Sequence, residues 1–282
     1  MAELSEQEIK RVELGILTEL DRVAREHGLD YVLAYGTLIG ALRHRGFIPW
    51  DDDIDVLMPR EDYERLYELA QSGVFSPRYK IATYRDESSI YGFFKLVDTR
   101  TRACESFIDE KHALGLWVDI FPLERVDITS PRLKRIKKKA YRLVSLRGYA
   151  ASDPRFATSR IARVVKRLIH PITRRLDPFA IARSTDDLAR SANLPVGSDD
   201  ANTRRVLLVD DAMDRNIFTP DQLFPVRRCE FEGRRFPIPA RAEELLENYY
   251  GDWRTIPAEQ NRPPRHLRAV NWVDDFQEKT DG

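Results

Sequence analysis

Apolar residues at Ile9, Val12, Ile16, Leu17, Leu20 and Val23 recur at helical spacing. Ser5 and Glu8 stand before them at capping-box separation, and Gly28 follows where a helix stop belongs. The pattern predicts an amphipathic first helix. Residues 31–35 are then a short apolar run ending at Gly36, and residues 37–44 place Leu38, Ala41 and Leu42 where a helix packed on a sheet needs them. Gly46 and Pro49 break that helix, residues 53–58 alternate as a strand, and Pro59 opens another helix carrying Tyr63, Leu66, Tyr67 and Ala70. Strands are expected again over 80–84, 92–97 and 116–121. Strands and helices thus intermingle up to about residue 124, the pattern of a mixed α/β or α+β sheet domain.

The pattern changes after that point. Over residues 132–175 fifteen basic side chains face a single acid, Asp153, while Ile136, Tyr141, Leu143, Val144, Ile161, Val164, Val165 and Leu168 recur at roughly helical spacing. Two basic helices follow from this. The chain accordingly divides into a core at 1–124, a basic helical segment at 125–200, and a C-terminal segment at 201–282 that packs back on the core.

Composition narrows the partners. The 282 residues carry 46 basic and 46 acidic side chains, so bulk charge does not draw the protein to nucleic acid or an anionic membrane, and any such attraction is local. Cys104 and Cys229 match no zinc or redox spacing, which argues for a reducing compartment. The polar N-terminus lacks a signal-peptide stretch and no apolar run reaches membrane-spanning length, so a cytoplasmic protein is expected.

The chemistry concentrates in Trp50-Asp51-Asp52-Asp53-Ile54-Asp55-Val56. In extended backbone Asp53 and Asp55 point the same way, with Cα atoms about 7 Å apart, and Asp51 joins them if the geometry reaches back through the loop. Asp52 then points away. Like charges so placed repel by about 1 kcal/mol per pair at 4 Å even in water, which calls for a cation. Hard oxygen ligands select Mg2+ or Mn2+. The competing reading is an acidic surface turn. Against it stand the apolar flanks Ile54 and Val56, the rigid approach of Pro49 and Trp50, and a glycine turn at Gly36-Thr37 whose amides could hold phosphate at a helix start.

The stretch from Tyr35-Gly36-Thr37-Leu38-Ile39-Gly40-Ala41-Leu42-Arg43-His44-Arg45-Gly46-Phe47-Ile48-Pro49-Trp50 through the aspartates to Met58-Pro59-Arg60 and Asp62-Tyr63 resembles the LicD family of phosphotransferases, to which fukutin-type enzymes are related. Leu116-Trp117-Val118-Asp119-Ile120-Phe121-Pro122-Leu123 is similar to that family's later aspartate strand, and Phe231-Glu232-Gly233 through Pro237-Ile238-Pro239 to Tyr250-Gly251-Asp252-Trp253 is similar to its C-terminal segment. The resemblance implies an α+β, nucleotidyltransferase-like catalytic core and transfer of phosphocholine or a related phosphorylated alcohol from a cytidine-diphosphate donor to a glycan hydroxyl. It further implies Asp53 and Asp55 as the principal metal ligands, Asp51 as an additional ligand or an acid behind them, and Asp119 completing the site, with Asp53, Asp55 and Asp119 catalytic and Asp119 able to help take the acceptor proton; the alternative for Asp119 is a strand-end aspartate capping the next turn.

Lys95, a cation on an otherwise apolar strand, suits phosphate contact, with snorkelling to the surface as the alternative. Gly36, Thr37, Arg43, His44, Arg45 and Arg60 complete the expected substrate contacts, and His266 and Arg268 are candidates in the tail. Cations at a helix end also simply complement its dipole, and Arg60 at a helix start could equally form a salt bridge. The basic stretch at 132–175 is expected to dock an anionic acceptor, a lipid-linked glycan at the inner membrane face or an acidic polymer. Nucleic acid is the less favoured partner, because the segment has few aromatics for base stacking. Two rival readings remain: nucleotidyl transfer that releases pyrophosphate, and a non-catalytic membrane- or polymer-binding protein on the same fold.

Overall fold

A computed structural model describes residues 2–152, 164, 173, 175–198, 200–210 and 214–273. Helix α1 (Glu6–His27) starts and stops where the sequence places its signals. The Glu8 carboxylate accepts from the Ser5 amide at 2.8 Å, the Ser5 hydroxyl accepts from the Glu8 amide, and Gly28 closes the helix at φ 64°. There follow β1 (Val32–Leu33), α2 (Tyr35–Ile39) running on as a wider π-helical turn Gly40–His44, β2 (Asp55–Pro59) and α3 (Arg60–Gln71). Next come β3 (Tyr79–Ala82), β4 (Phe94–Glu105), β5 (Leu114–Asp127), α4 (Pro131–Ala151) and α5 (Pro178–Arg190). The chain continues with β6 (Thr203–Leu207), β7 (Ile217–Phe218), α6 (Pro220–Leu223), β8 (Arg227–Phe231), β9 (Arg234–Ile238), α7 (Ala242–Tyr250) and β10 (Leu267–Trp272).

Eight strands form one mixed sheet along the path β1-β2-β5-β4-β10, with β3 also on β4, and β6 on β5 followed by β7. Strands β2 and β5 run parallel and the other paired strands antiparallel. The fold is α+β with helices flanking this sheet, as expected. Strands β4 and β5 extend well past the apolar runs at 92–97 and 116–121, because each pairs with different neighbours along its length. Strands β6 and β10 come from the C-terminal third of the chain and lie in the same sheet as the acid strand. Of the two basic helices expected, α4 is the first, and most of the second falls outside the described residues. No described helix is long and apolar enough to cross a membrane.

Strand alternation sorts the core into two layers. Val56, Met58, Phe94, Val118 and Ile120 pack with Ile16, Leu17 and Leu20 of α1, whereas Leu57, Phe93, Phe121 and Leu123 pack with Leu133 of α4, Ala189 of α5 and Leu245 of α7. Asp55 stands two residues before Leu57, and Asp119 two before Phe121. Both carboxylates therefore emerge on the second face, where the sheet gives way to a cleft.

Candidate active site

The register of the sheet brings the chemistry together. Asp55 on β2 lies opposite Asp119 on β5, and Asp119 lies opposite Lys95 on β4. The Lys95 ammonium sits 2.8 Å from Asp119 Oδ1 and is 2% exposed. It is boxed by aromatic rings, 4.0 Å from the Trp117 centroid and 4.4 Å from that of Tyr91. Residues 51–54 precede the strand as a loop, though the Asp119 amide still donates to the Ile54 carbonyl at 2.9 Å. Asp53 accepts from His266 Nδ1, which makes His266 part of the acid site. Asp52 is turned to another task, accepting from the backbone amides of His266 (3.0 Å) and Leu267 (2.9 Å), and so anchors the C-terminal strand.

Two pockets meet at these acids. A cavity of about 290 Å³ lies over β4 and β5, walled by Tyr91, Phe93, Lys95, Glu105, Trp117, Asp119 and Phe121, with Asp210, Arg215 and Tyr249 across from them. A second, of about 470 Å³, is lined by Arg43, Ile48, Trp50, Asp51, Asp252, Trp253, Thr255 and Asn261. Tyr35, Asp53, Asp55, Tyr250 and His266 line both.

The electrostatics are lopsided. Burial, followed by the charge of Asp53, pushes the Asp51 carboxyl up to about 7. Asp55 is driven well above the carboxylate range by burial and then by Asp53 and Asp119. Asp119 rises to about 6 through burial, with Lys95 opposing. His266 is raised to about 9, chiefly by its hydrogen bond to Asp53. The protein thus concentrates more negative charge than its own cations offset. Such a site can hold a divalent cation and, through it, a diphosphate ester.

Other expected contacts are placed differently. Gly36 does not form a turn ahead of a helix; it lies within α2, against the Asp51 carboxylate, where any Cβ would collide with Oδ2. Thr37 is buried and its hydroxyl accepts from the Asp55 amide at 2.9 Å, so it positions the acid rather than facing the cleft. Arg43 lines the larger pocket, fixed to the carbonyl of Trp253 at 2.6 Å. His44 accepts from Arg43 at 2.9 Å and meets Trp50 edge to face, away from the pocket linings. Arg45 adopts φ 55° at the end of the π-helical turn, and its carbonyl accepts from Glu232.

Arg60 does not reach the cleft. It is 4% exposed and bound to Glu124, Glu64 and Asp186, because α3 aims its first residue under α5. Arg268 pairs with Glu110 at 2.7 Å, outside both pockets. Sequence reasoning missed Tyr35, Tyr91, Glu105, Asp210, Arg215, Tyr249 and Tyr250 as cleft residues. Two motifs carried a signal for any of them: the stretch opening at Tyr35-Gly36-Thr37 and the C-terminal Tyr250-Gly251-Asp252-Trp253.

Fold and site define a nucleotidyltransferase-like enzyme with an acid-lined cleft. Residues 28–143 match the family model for the LicD/FKTN/FKRP nucleotidyltransferase domain. Nearly the whole chain is similar to lipopolysaccharide cholinephosphotransferase LicD of Haemophilus influenzae, with 29% identity over 274 residues, 96% of this chain and 99% of that protein. Shorter similarities reach uncharacterized proteins of Rickettsia prowazekii (28% over 75 residues, 23% of this chain and 28% of that protein) and Rickettsia typhi (28% over 91 residues, 29% and 28%). The resemblance to the LicD family read from the motifs is borne out by these matches, and the chain is an enzyme of the phosphotransferase class.

Proposed function

We propose that the protein transfers a phosphorylated alcohol, phosphocholine first among them, from a cytidine-diphosphate donor to a glycan hydroxyl and releases CMP. The observation that carries this reading is the in-register pair Asp55 and Asp119 at the junction of two pockets, with Asp51 and Asp53 beside it. The activity in the name of the Haemophilus relative supports both the transferred group and a lipid-linked glycan as acceptor.

The reading calls for Mg2+ or Mn2+ held by Asp51, Asp53, Asp55 and Asp119. The donor set fits, being hard carboxylate oxygens whose raised acidities mark uncompensated negative charge. When bound, such an ion screens the pyrophosphate from the carboxylates and polarises the attacked phosphorus. Lys95 would neutralise oxygens of the transferred phosphoryl group. The acceptor oxygen attacks the β-phosphorus and its proton passes to Asp119. The bond from that phosphorus to the bridging oxygen breaks, and its electron pair leaves with CMP.

Docking of the acceptor is assigned to α4, whose exposed Lys134, Arg135, Lys138, Lys139 and Arg142 stand beside exposed Tyr141 and Tyr149. Binding to anionic liposomes at low salt, absent with neutral ones, is the expected result; equal weak binding to both would remove this part. The central experiment is incubation with Mg2+, a glycan acceptor and a panel of cytidine-diphosphate alcohols. CMP release supports the reading. Pyrophosphate in its place identifies nucleotidyl transfer, and no product from any donor would overturn the cytidine-diphosphate reading.

A further inference from the structure

The two pockets differ in the chemistry of their walls. In the larger one the indole N–H of Trp253, a residue only 7% exposed, finds no acceptor among the described residues. Trp50 forms a second flat wall, held by the Arg262 guanidinium 4.2 Å from its ring centroid. Asn261 adds a side-chain amide at the rim. Two indoles, a buried donor lacking an acceptor and an amide are what a nucleobase and its ribose require, since bases are read by stacking and by hydrogen bonds to their edges.

The smaller pocket is furnished oppositely. Lys95 is paired with Asp119, and Tyr91 donates to Glu105. Arg147 of α4 lies over the Tyr91 ring at 4.1 Å and reaches Asp210 at 3.5 Å. An uncharged pyrimidine placed there would break ion pairs and restore nothing. A phosphorylated alcohol with its own charges, or a sugar hydroxyl, can exchange with them. This pocket also borders the basic helix.

We infer that the cleft has a fixed polarity, with the nucleoside of the donor in the tryptophan-walled pocket and the transferred phosphorylated alcohol in the β4–β5 pocket, from whose side the acceptor hydroxyl approaches. The inference rests on the cytidine-diphosphate reading above. It agrees with in-line displacement, because the leaving CMP and the entering oxygen then lie on opposite sides of the attacked phosphorus.

The test uses the full chain with Mg2+ and two readouts: the Kd for CMP by calorimetry, and kcat/KM for CDP-choline, CDP-ethanolamine and CDP-glycerol. Trp50→Ala should weaken CMP by about ten-fold or more, the effect of losing a stacking surface. Trp253→Phe, which keeps an aromatic ring and removes the N–H donor, should weaken it by about five-fold and covers the case that Trp50→Ala does not fold. Glu105→Gln and Tyr91→Phe should leave the CMP Kd within about two-fold and alter the preference among the three donors by about ten-fold. If Glu105→Gln weakens CMP as much as Trp50→Ala does, or if the tryptophan variants change only donor preference, the polarity is overturned. Failure of the unmodified protein to bind CMP would instead overturn the donor reading, and the polarity with it.

Discussion

The cleft and the charged cluster beneath α5 are both buried and both built from ionisable side chains, yet they are balanced in opposite ways. Under α5, Arg60, Arg85 and Arg190 face Glu64, Glu124 and Asp186, with hydrogen bonds of 2.7 Å from Arg60 and from Tyr84 to Asp186. Burial works against Glu64, yet Arg85 and Arg60 hold it below its ordinary acidity range, whereas burial raises the deeper Glu124 with Arg60 opposing. In the cleft, Asp51, Asp55 and Asp119 are all raised, since burial and mutual repulsion outweigh Lys95 and His266. Equal numbers of opposite charges describe a structural clamp. A surplus of one sign describes a place waiting for a ligand of the other.

Substitutions can break this contrast. The largest expected effect is in the cleft: Asp55→Asn should reduce transfer roughly 10³-fold or more, as loss of a transition-state contact does, while metal-free thermal stability holds or rises because repulsion is relieved. CMP release and melting in chelator check both halves, and a large stability loss in chelator would mark Asp55 as structural instead. Next is the clamp, where Arg60→Ala strands Glu124 in the interior, leaves Asp186 to Tyr84, Arg85 and Arg190, and should cost about 3–5 kcal/mol in urea unfolding. A cost below 1 kcal/mol would show that the remaining arginines suffice.

Proton linkage sharpens the same comparison. The folded Asp51 and Asp119 titrate near 7 and 6, above the ordinary 3.8, so between pH 4 and 7 the native state holds more protons than the unfolded chain. Metal-free stability contributed by these groups therefore falls as pH rises through that window. Glu64 has the opposite sign, its contribution being present above pH 4.5 and lost on acidification. Denaturation midpoints measured with chelator from pH 4 to 7 should decline less in Asp51→Asn than in the unmodified protein, and equal slopes would refute the assignment. The smallest effect is expected from Thr37→Val, which leaves the Asp55 amide without its acceptor and should cost about 1–2 kcal/mol, with Thr37→Ser restoring most of it.

Much of this was legible in the chain. The Ser5 and Glu8 box, the Gly28 stop, the alternation that gives Asp55 the face of Leu57, and the aspartate strand at Asp119 all depend on residues within a few positions of one another. For Arg60 the sequence leaves a substrate contact and a salt bridge both open, because it shows only a cation at an awkward helix start, and the partner Asp186 that settles it as a salt bridge is 126 residues away. His266 was only one candidate among several until packing set it on Asp53, across 213 residues.

The sequence by itself determined where helices and strands begin, which residues share a face, and that several carboxylates would crowd one strand, because those follow from backbone periodicity and local capping. Only the tertiary structure decided which charges are cancelled. Coulomb energy depends on distance and burial, and strands from the C-terminal third of the chain had to close against β4 and β5 before Asp51, Asp55 and Asp119 could be told apart from Glu64, Glu124 and Asp186.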